Sequence, residues 1–327
     1  MKQWLLGWLL LALVRVEAQP QTYPSSFTVA QDGTGNFRTI QEAINAVRDL
    51  SQQRVTIYIR NGVYHEKIVI PSWKTMITLK GESRDSTIIS YDDYSGKPVA
   101  GGKDAFGKEK MTTYTSYTVL VEGNDFSAEN LTIQNTAGRV GQAVALHVEG
   151  DRCVVRNCKL LGNQDTLYAG TEGSRQYYKD CYIEGTTDFI FGEATAVFDS
   201  CVIRSLINSY ITAAATTPRQ EYGFVFLDCR LIADTAAKKV FLGRPWRPYA
   251  KTVYIRTEMG VQIAPAGWDN WRNPENEKTA YYGEYESTGP GAASGQRVGW
   301  SKQLTAREAR RYTVEGVLGE WVKKNYL

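Results

Sequence analysis

The sequence predicts an all-β solenoid, a parallel β-helix with a capping helix at its N-terminal end and loops and a helix laid over its outside near the C-terminus. Three observations carry this. A small unit, a polar pair followed by Cys or Leu, any residue, and Ile or Leu, recurs along the chain. It reads Glu129-Asn130-Leu131-Thr132-Ile133, Arg156-Asn157-Cys158-Lys159-Leu160, Lys179-Asp180-Cys181-Tyr182-Ile183, Asp199-Ser200-Cys201-Val202-Ile203 and Leu227-Asp228-Cys229-Arg230-Leu231. The copies return every 20 to 28 residues, the period of a stacked architecture. Each is also a short apolar-alternating strand bounded by Gly, Asn or Asp, too short to bury its inner face alone. Finally, Cys158 and Cys181 are 23 residues apart, and so are Asp165 and Asp188. Stacked cysteines therefore place the two carboxylates on neighbouring rungs, about 4.8 Å apart in the strand-to-strand direction.

Taken in order, residues 1–18 carry a basic Lys2, an apolar run from Trp4 to Val14 and small-residue spacing at Val16-Glu17-Ala18. This is the pattern of a signal peptide cleaved after Ala18, and the run is too short to span a bilayer. The mature chain then begins at Gln19 and is exported, extracellular or periplasmic. No Pro/Ser-rich linker interrupts residues 19–327, which read as a single domain. Removing Lys2, Arg15 and Glu17 takes the formal charge from +3 to +2, and Lys and Arg form no basic stripe, so nucleic acid is not an expected partner.

Residues 39–50 are the clearest helix. Thr39 and Glu42 form a capping box, and Ile40, Ala43, Ile44, Val47 and Leu50 share one face. This helix is the expected lid on the open end of the stack. Strands are expected at Val55–Arg60, Lys67–Ile70 and Met76–Lys80, with turns at Gly62 and Gly81. Tyr91–Lys110 is a Gly-rich, charged surface loop. Past Trp246 the periodicity weakens, and residues 262–300, rich in Trp, Tyr, Gly and Pro, are expected as long loops. Thr305 and Glu308 form a second capping box, so a C-terminal helix should start there. Asn130-Leu131-Thr132 is the one glycosylation sequon, set in a repeat turn that argues against its use.

Several chemistries are missing. There is no Gly-x-Ser-x-Gly elbow, and His65 and His147 are the only histidines, each read as structural. No Cys-x-x-Cys or EF-hand-like spacing of acids appears, so neither metal nor cofactor is expected. What remains is the aspartate pair. Two carboxylates that close cannot both ionise easily, which leaves an acid beside a base.

Five motifs in order give the chain a resemblance to a known family. They are Gly62-Val63-Tyr64-His65-Glu66, Gln142-Ala143-Val144-Ala145-Leu146, Gln164-Asp165-Thr166-Leu167, Asp188-Phe189-Ile190-Phe191-Gly192 and Leu242-Gly243-Arg244-Pro245-Trp246. Over nearly the whole mature chain the sequence resembles the pectinesterases, or pectin methylesterases. The resemblance implies a right-handed parallel β-helix and hydrolysis of galacturonate methyl esters in pectin to pectate and methanol. It implies that Asp188 is the nucleophile, Asp165 the general acid/base, Gln142 and Gln164 the oxyanion donors, and Arg244 the partner of Asp188. Carboxylates can serve as nucleophiles, amides can stabilise an oxyanion, and a guanidinium holds a carboxylate ionised and aimed. Trp246 resembles a stacking platform for a sugar ring, with Thr113, Tyr168 and Phe191 as further substrate contacts.

The expected partner is a methyl-esterified polygalacturonate chain, met by a monomer without a membrane. Two alternatives stand beside this reading: a β-helix pectate lyase or polygalacturonase, and a non-catalytic polysaccharide-binding solenoid. A lyase would need several calcium-ligating acids, a glycosidase carboxylates spaced to straddle the scissile bond, and a binder neither aspartate. Five cysteines leave at least one unpaired, and Cys181 and Cys201 lie one repeat apart, within disulfide reach. A column of buried thiols would give the same spacing; the resemblance implies a bond between these two.

Overall fold

The computed structural model describes residues 22–104 and 107–326, so the expected signal sequence lies outside the described residues. The chain winds through three parallel sheets, of 11, 8 and 7 strands. One turn of the coil runs through Cys153–Arg156 in the long sheet, Lys159–Leu161 in the second and Leu167–Ala169 in the third. It then returns to the long sheet at Arg175–Lys179. Each strand pairs in parallel with its equivalents one turn above and below. This is the parallel β-helix expected from the repeat.

The repeat unit marks the bend from the long sheet into the second. Asn130, Asn157, Asp180, Ser200 and Asp228 all adopt left-handed backbone, with φ between 49° and 57°. Asn and Asp tolerate that conformation better than bulkier residues. The next residue, Leu131 or one of Cys158, Cys181, Cys201 and Cys229, is buried inside the coil. The turns are tied to one another: Asn157 Nδ2 donates to Asn130 Oδ1 at 3.0 Å, and Asn130 Nδ2 donates to the Gly81 carbonyl at 3.0 Å. The sequon amide is therefore engaged in the stack.

The expected Cys181–Cys201 disulfide is not formed. Pairing of Tyr182 with Val202 sets the two cysteines side by side, yet each Sγ donates to backbone carbonyls instead. Cys181 reaches Val155 and Lys179 at 3.3 Å, and Cys201 reaches Tyr178 at 3.4 Å. In-register residues of parallel strands project their Cα–Cβ bonds in parallel, whereas a disulfide needs them to converge on a roughly perpendicular dihedral. The alternative, a column of thiols, is what forms.

The interior is a set of such columns. Tyr178, Phe198, Phe226 and Tyr254 stack face to face on successive rungs, with centroids 4.8, 4.5 and 4.4 Å apart. The next position in that column is Glu284, paired in register with Tyr254. Arg297 meets it with two hydrogen bonds, at 2.8 and 3.0 Å, and both side chains are only 3% exposed. This ion pair plugs the C-terminal end of the aromatic stack.

At the other end the helix is shorter than expected, Ile40–Ala46 rather than 39–50. Thr39 caps it by accepting from Glu42 N, while the Glu66 carboxylate accepts from Ile40 N and Gln41 N. Lys74 Nζ donates to the Asn45 carbonyl at 2.9 Å and also to that of Val47, closing the last turn early. Ile40, Ala43 and Ile44 seal the core, as a lid should. The strands Val55–Ile59, Ile68–Ile70 and Ile77–Gly81 form close to where expected, but neither glycine makes a turn: Gly62 opens the strand Gly62–His65 and Gly81 ends Ile77–Gly81.

Residues 262–300 are not only loops, because Tyr281–Tyr285 adds a further rung to the long sheet. The Thr305–Glu308 capping box forms, but its helix is a single turn, Ala306–Ala309, followed by Val314–Leu318 and Trp321–Tyr326. Thr313 caps the second of these and Gly319, at φ 89°, ends it. Their apolar side chains cover the outer face of the long sheet, where Val154, Tyr177, Val197, Val225 and Val253 form a second core.

Candidate active site

The residues picked out by the motifs gather where the coil enters the third sheet. Gln142 precedes the strand Leu146–Val148, Gln164 and Asp165 precede Leu167–Ala169, and Asp188 precedes Ile190–Gly192. Leu167 pairs with Ile190 and Tyr168 with Phe191, so the 23-residue offset holds and Asp165 faces Asp188. Gln142 and Gln164 form a parallel bridge of their own one rung away. Both aspartates are left-handed, at φ 65° and 50°, and their amides are held by the rung above. Asp165 N donates to the Thr187 carbonyl at 3.1 Å and Asp188 N to that of Tyr210 at 2.9 Å.

Two glycines in the motifs have steric reasons. A Cβ on Gly192, at φ 125°, would lie 2.1 Å from the Ala169 carbonyl oxygen. One on Gly243 would lie 2.0 Å from Thr212 Oγ1, so only glycine brings the strand Phe241–Pro245, and Arg244 with it, this close.

Arg244 grips Asp188 in a fork, Nε to Oδ1 at 2.9 Å and Nη2 to Oδ2 at 2.6 Å. The Asp188 side chain is 8% exposed, so the pair is largely desolvated. Burial pushes the Asp188 carboxyl above its ordinary range, the two Arg244 hydrogen bonds pull it back, and nearby Asp269 adds a smaller upward push. Asp165 is driven much further up, first by burial and then by the charge of Asp188, with Arg244 opposing only through space. Asp188 is therefore the carboxyl that ionises first, and Asp165 keeps its proton beside it.

These groups line a cleft of about 200 Å³ together with Thr113, Phe191 and Trp246. Tyr168, expected as a substrate contact, is not among the lining residues and is buried behind Phe191. Its ring stacks on Phe191 at 4.7 Å and its hydroxyl donates to Glu193 at 2.9 Å. Three lining residues were not anticipated: Tyr114, Ala213 and Trp271. Tyr114 adjoins Thr113, and Ala213 sits between Phe191 and Arg244 in the strand register, so both were reachable from the motifs. Trp271 arrives from the aperiodic C-terminal loops, where spacing carries no positional signal.

Neither histidine enters the cleft. His147 is buried, with Nε2 2.9 Å from Glu149, and His65 stacks on Tyr91. Among the described residues no group of three or more His, Cys, Asp or Glu side chains is placed to hold a metal. A larger hollow of about 540 Å³ lies under the C-terminal helices. There Arg256 is already forked onto Asp228, at 2.7 and 2.6 Å, and Asp199 accepts from Tyr177, so both carboxylates in its lining are engaged.

Comparison with known proteins points the same way. The family profile described as Pectinesterase matches residues 26–320. The chain is 40% identical to Pectinesterase 31 of Arabidopsis thaliana over 286 residues, 87% of this chain and 89% of that protein. It spans about half the length of several other relatives. The structure of pectin methylesterase from carrot matches with a TM-score of 0.83 at 36% identity, covering 95% of this chain and 98% of that one. A pectin methylesterase in complex with a hexasaccharide matches with a TM-score of 0.75 at 32% identity, covering 92% and 98%.

Proposed function

Because this chain belongs to the pectinesterase family and is a carboxylic ester hydrolase that demethylates pectin, we propose that its cleft works through Asp188 as nucleophile and Asp165 as general acid/base. The observation that carries these roles is a pair of in-register buried carboxyls of which only one is forked to a guanidinium. Ionised Asp188 attacks the ester carbonyl, and the tetrahedral oxygen receives hydrogen bonds from the side-chain amides of Gln142 and Gln164. As the C–O bond breaks, Asp165 gives its proton to methanol, leaving an acyl-enzyme anhydride. Asp165, now a base, takes a proton from water, whose oxygen attacks the same carbonyl carbon and frees Asp188. Both carboxyls return to their starting states.

Trp246 and Phe191 offer the sugar an apolar face and Thr113 a hydroxyl at the rim. Tyr168 supports Phe191 from below. The substrate we assign is a methyl-esterified polygalacturonate chain met by a monomer. Residues 19–327 act as one domain, released by cleavage after Ala18, so the secreted protein should begin at Gln19. Among the described residues no helix is long and apolar enough to cross a membrane.

The test is methanol release from esterified pectin. Asp188→Asn should lower turnover at least about a thousandfold while leaving polymer binding nearly intact. A folded Asp188→Asn protein that kept about a tenth of wild-type turnover would remove Asp188 from the nucleophile's role.

A further inference from the structure

The guanidinium of Arg244 lies between two aromatic rings. Its Cζ is 4.0 Å from the ring centroid of Tyr210 and 3.7 Å from that of Trp271. We propose that Tyr210 is a positioning residue for the reaction: its ring fixes the plane in which Arg244 presents both N–H groups to Asp188. The proposal deepens the roles assigned above and rests on Asp188 being the nucleophile.

The need for such a residue follows from where Arg244 starts. Its register partner on the neighbouring strand is Ala213, yet its fork reaches back towards the start of that strand, where Tyr210 is the first residue and holds Asp188 N through its carbonyl. Both Arg244 side-chain hydrogen bonds found among the described residues go to the Asp188 carboxylate, so among those residues no other acceptor sets the tilt of the guanidinium plane. A fork delivers two parallel bonds only if that plane contains both carboxylate oxygens. Rings above and below fix it, and a cation between two aromatic faces stays poorly hydrated and fully charged.

The two rings are not equivalent. Trp271 comes from a C-terminal loop and lines the cleft, on the side open to a substrate. Tyr210 is locked into the rung pattern, pairs with Phe241 and stacks on its ring at 5.4 Å. One residue thus holds the nucleophile's backbone and the cation that keeps the nucleophile ionised.

Among the described residues, the titratable and charged groups within electrostatic reach of the Asp188 carboxyl are Arg244, Asp165 on the preceding rung, Asp269 beside Trp271, and the buried Tyr282 hydroxyl of the long sheet. Arg244 alone among them favours the anion. Loosening its fork must therefore let Asp188 protonate at higher pH, whereas a purely structural loss at Tyr210 would not move that titration.

The experiment compares kcat and KM across pH for wild type, Tyr210→Phe, Tyr210→Leu and Tyr210→Thr, with thermal unfolding to confirm folding. Tyr210 is half-buried at a strand end, and the two ring-deleting changes differ in shape and strand preference, so either folded variant serves. Ring loss should lower kcat about tenfold, the scale of one desolvated cation–π contact, with KM within about twofold. The acid limb of kcat/KM should move up by about half a pH unit or more, and Phe should restore both. In an Arg244→Lys background the ring-deleting change should cost little more. An unmoved acid limb after ring loss, or a Phe variant as impaired as Leu, overturns the proposal. Asp188→Asn measured alongside separates the two readings. If it stays active the nucleophile assignment falls, and if it is dead while the ring-deleted variants match wild type only the role of Tyr210 falls.

Discussion

Burial and the charge of Asp188 hold the proton on Asp165, and both effects act on the folded chain only. A carboxyl whose pKa is raised by folding favours the fold below its ordinary value of 3.8 and loses that contribution as pH climbs. Asp165→Asn carries no charge to bury. It should therefore unfold at a higher temperature than wild type at pH 7, with the difference closing towards pH 4, while turnover falls at least about a hundredfold for want of a proton donor. A midpoint at or below that of wild type at pH 7 would argue that Asp165 is not strained by its site. In the proposed mechanism the two aspartates act as one unit, so the double Asn variant should be scarcely slower than either single one. Gln142→Ala and Gln164→Ala should each cost about a hundredfold to a thousandfold in kcat, the usual loss for one oxyanion donor. The roles proposed here came from the family resemblance, whereas the adjacency of Asp165 and Asp188 was legible in the residues themselves, because equal spacing within a repeat converts directly into neighbouring rungs. The clamp around Arg244 was not, since Tyr210 and Trp271 share no spacing with it and meet it only through the lean of a long side chain.

At the scale of the element, the left-handed bend is what the repeat encodes. Asn157 sits at φ 49° and ties its amide to Asn130. Asn157→Val should cost about 1–3 kcal/mol in denaturant unfolding, combining a β-branched residue in left-handed backbone with the loss of two side-chain hydrogen bonds, to Asn130 and from Arg84. Asn157→Gly should lose only those bonds, and equal losses for the two would set the backbone argument aside. Beyond each bend, non-reducing peptide mapping should recover Cys181 and Cys201 as thiols, and a linked peptide would contradict the carbonyl contacts seen here. The strands and bends were readable because a strand of three to five residues with fixed flanks leaves little freedom. The N-terminal helix was overextended because its apolar face continues to Leu50, whereas Lys74, distant in sequence, ends it at Ala46. Likewise Tyr281–Tyr285 looked like loop, because a final rung needs no repeat after it to be a strand.

The whole molecule is a stack with two closed ends and one padded side. Arg297 over Glu284 closes the end that the aromatic column would otherwise leave open. Arg297→Met strands a buried carboxylate and should cost about 3–5 kcal/mol of stability, while kcat of the folded fraction at 25 °C stays within about twofold. A larger fall in kcat would mean that the plug also shapes the cleft. Within the stack each rung leans mainly on the rungs before and after it, so disorder can enter only from the ends. The strands that follow Asp165 and Asp188 are the fourth and fifth of seven in their sheet, as far from either opening as the architecture permits. Their amide protons should be among the last to exchange with deuterium, well after those of Ser26–Val29 and Lys302–Gln303. A protein built this way wears inward from its tips, and its working lifetime is set by residues that never meet the substrate.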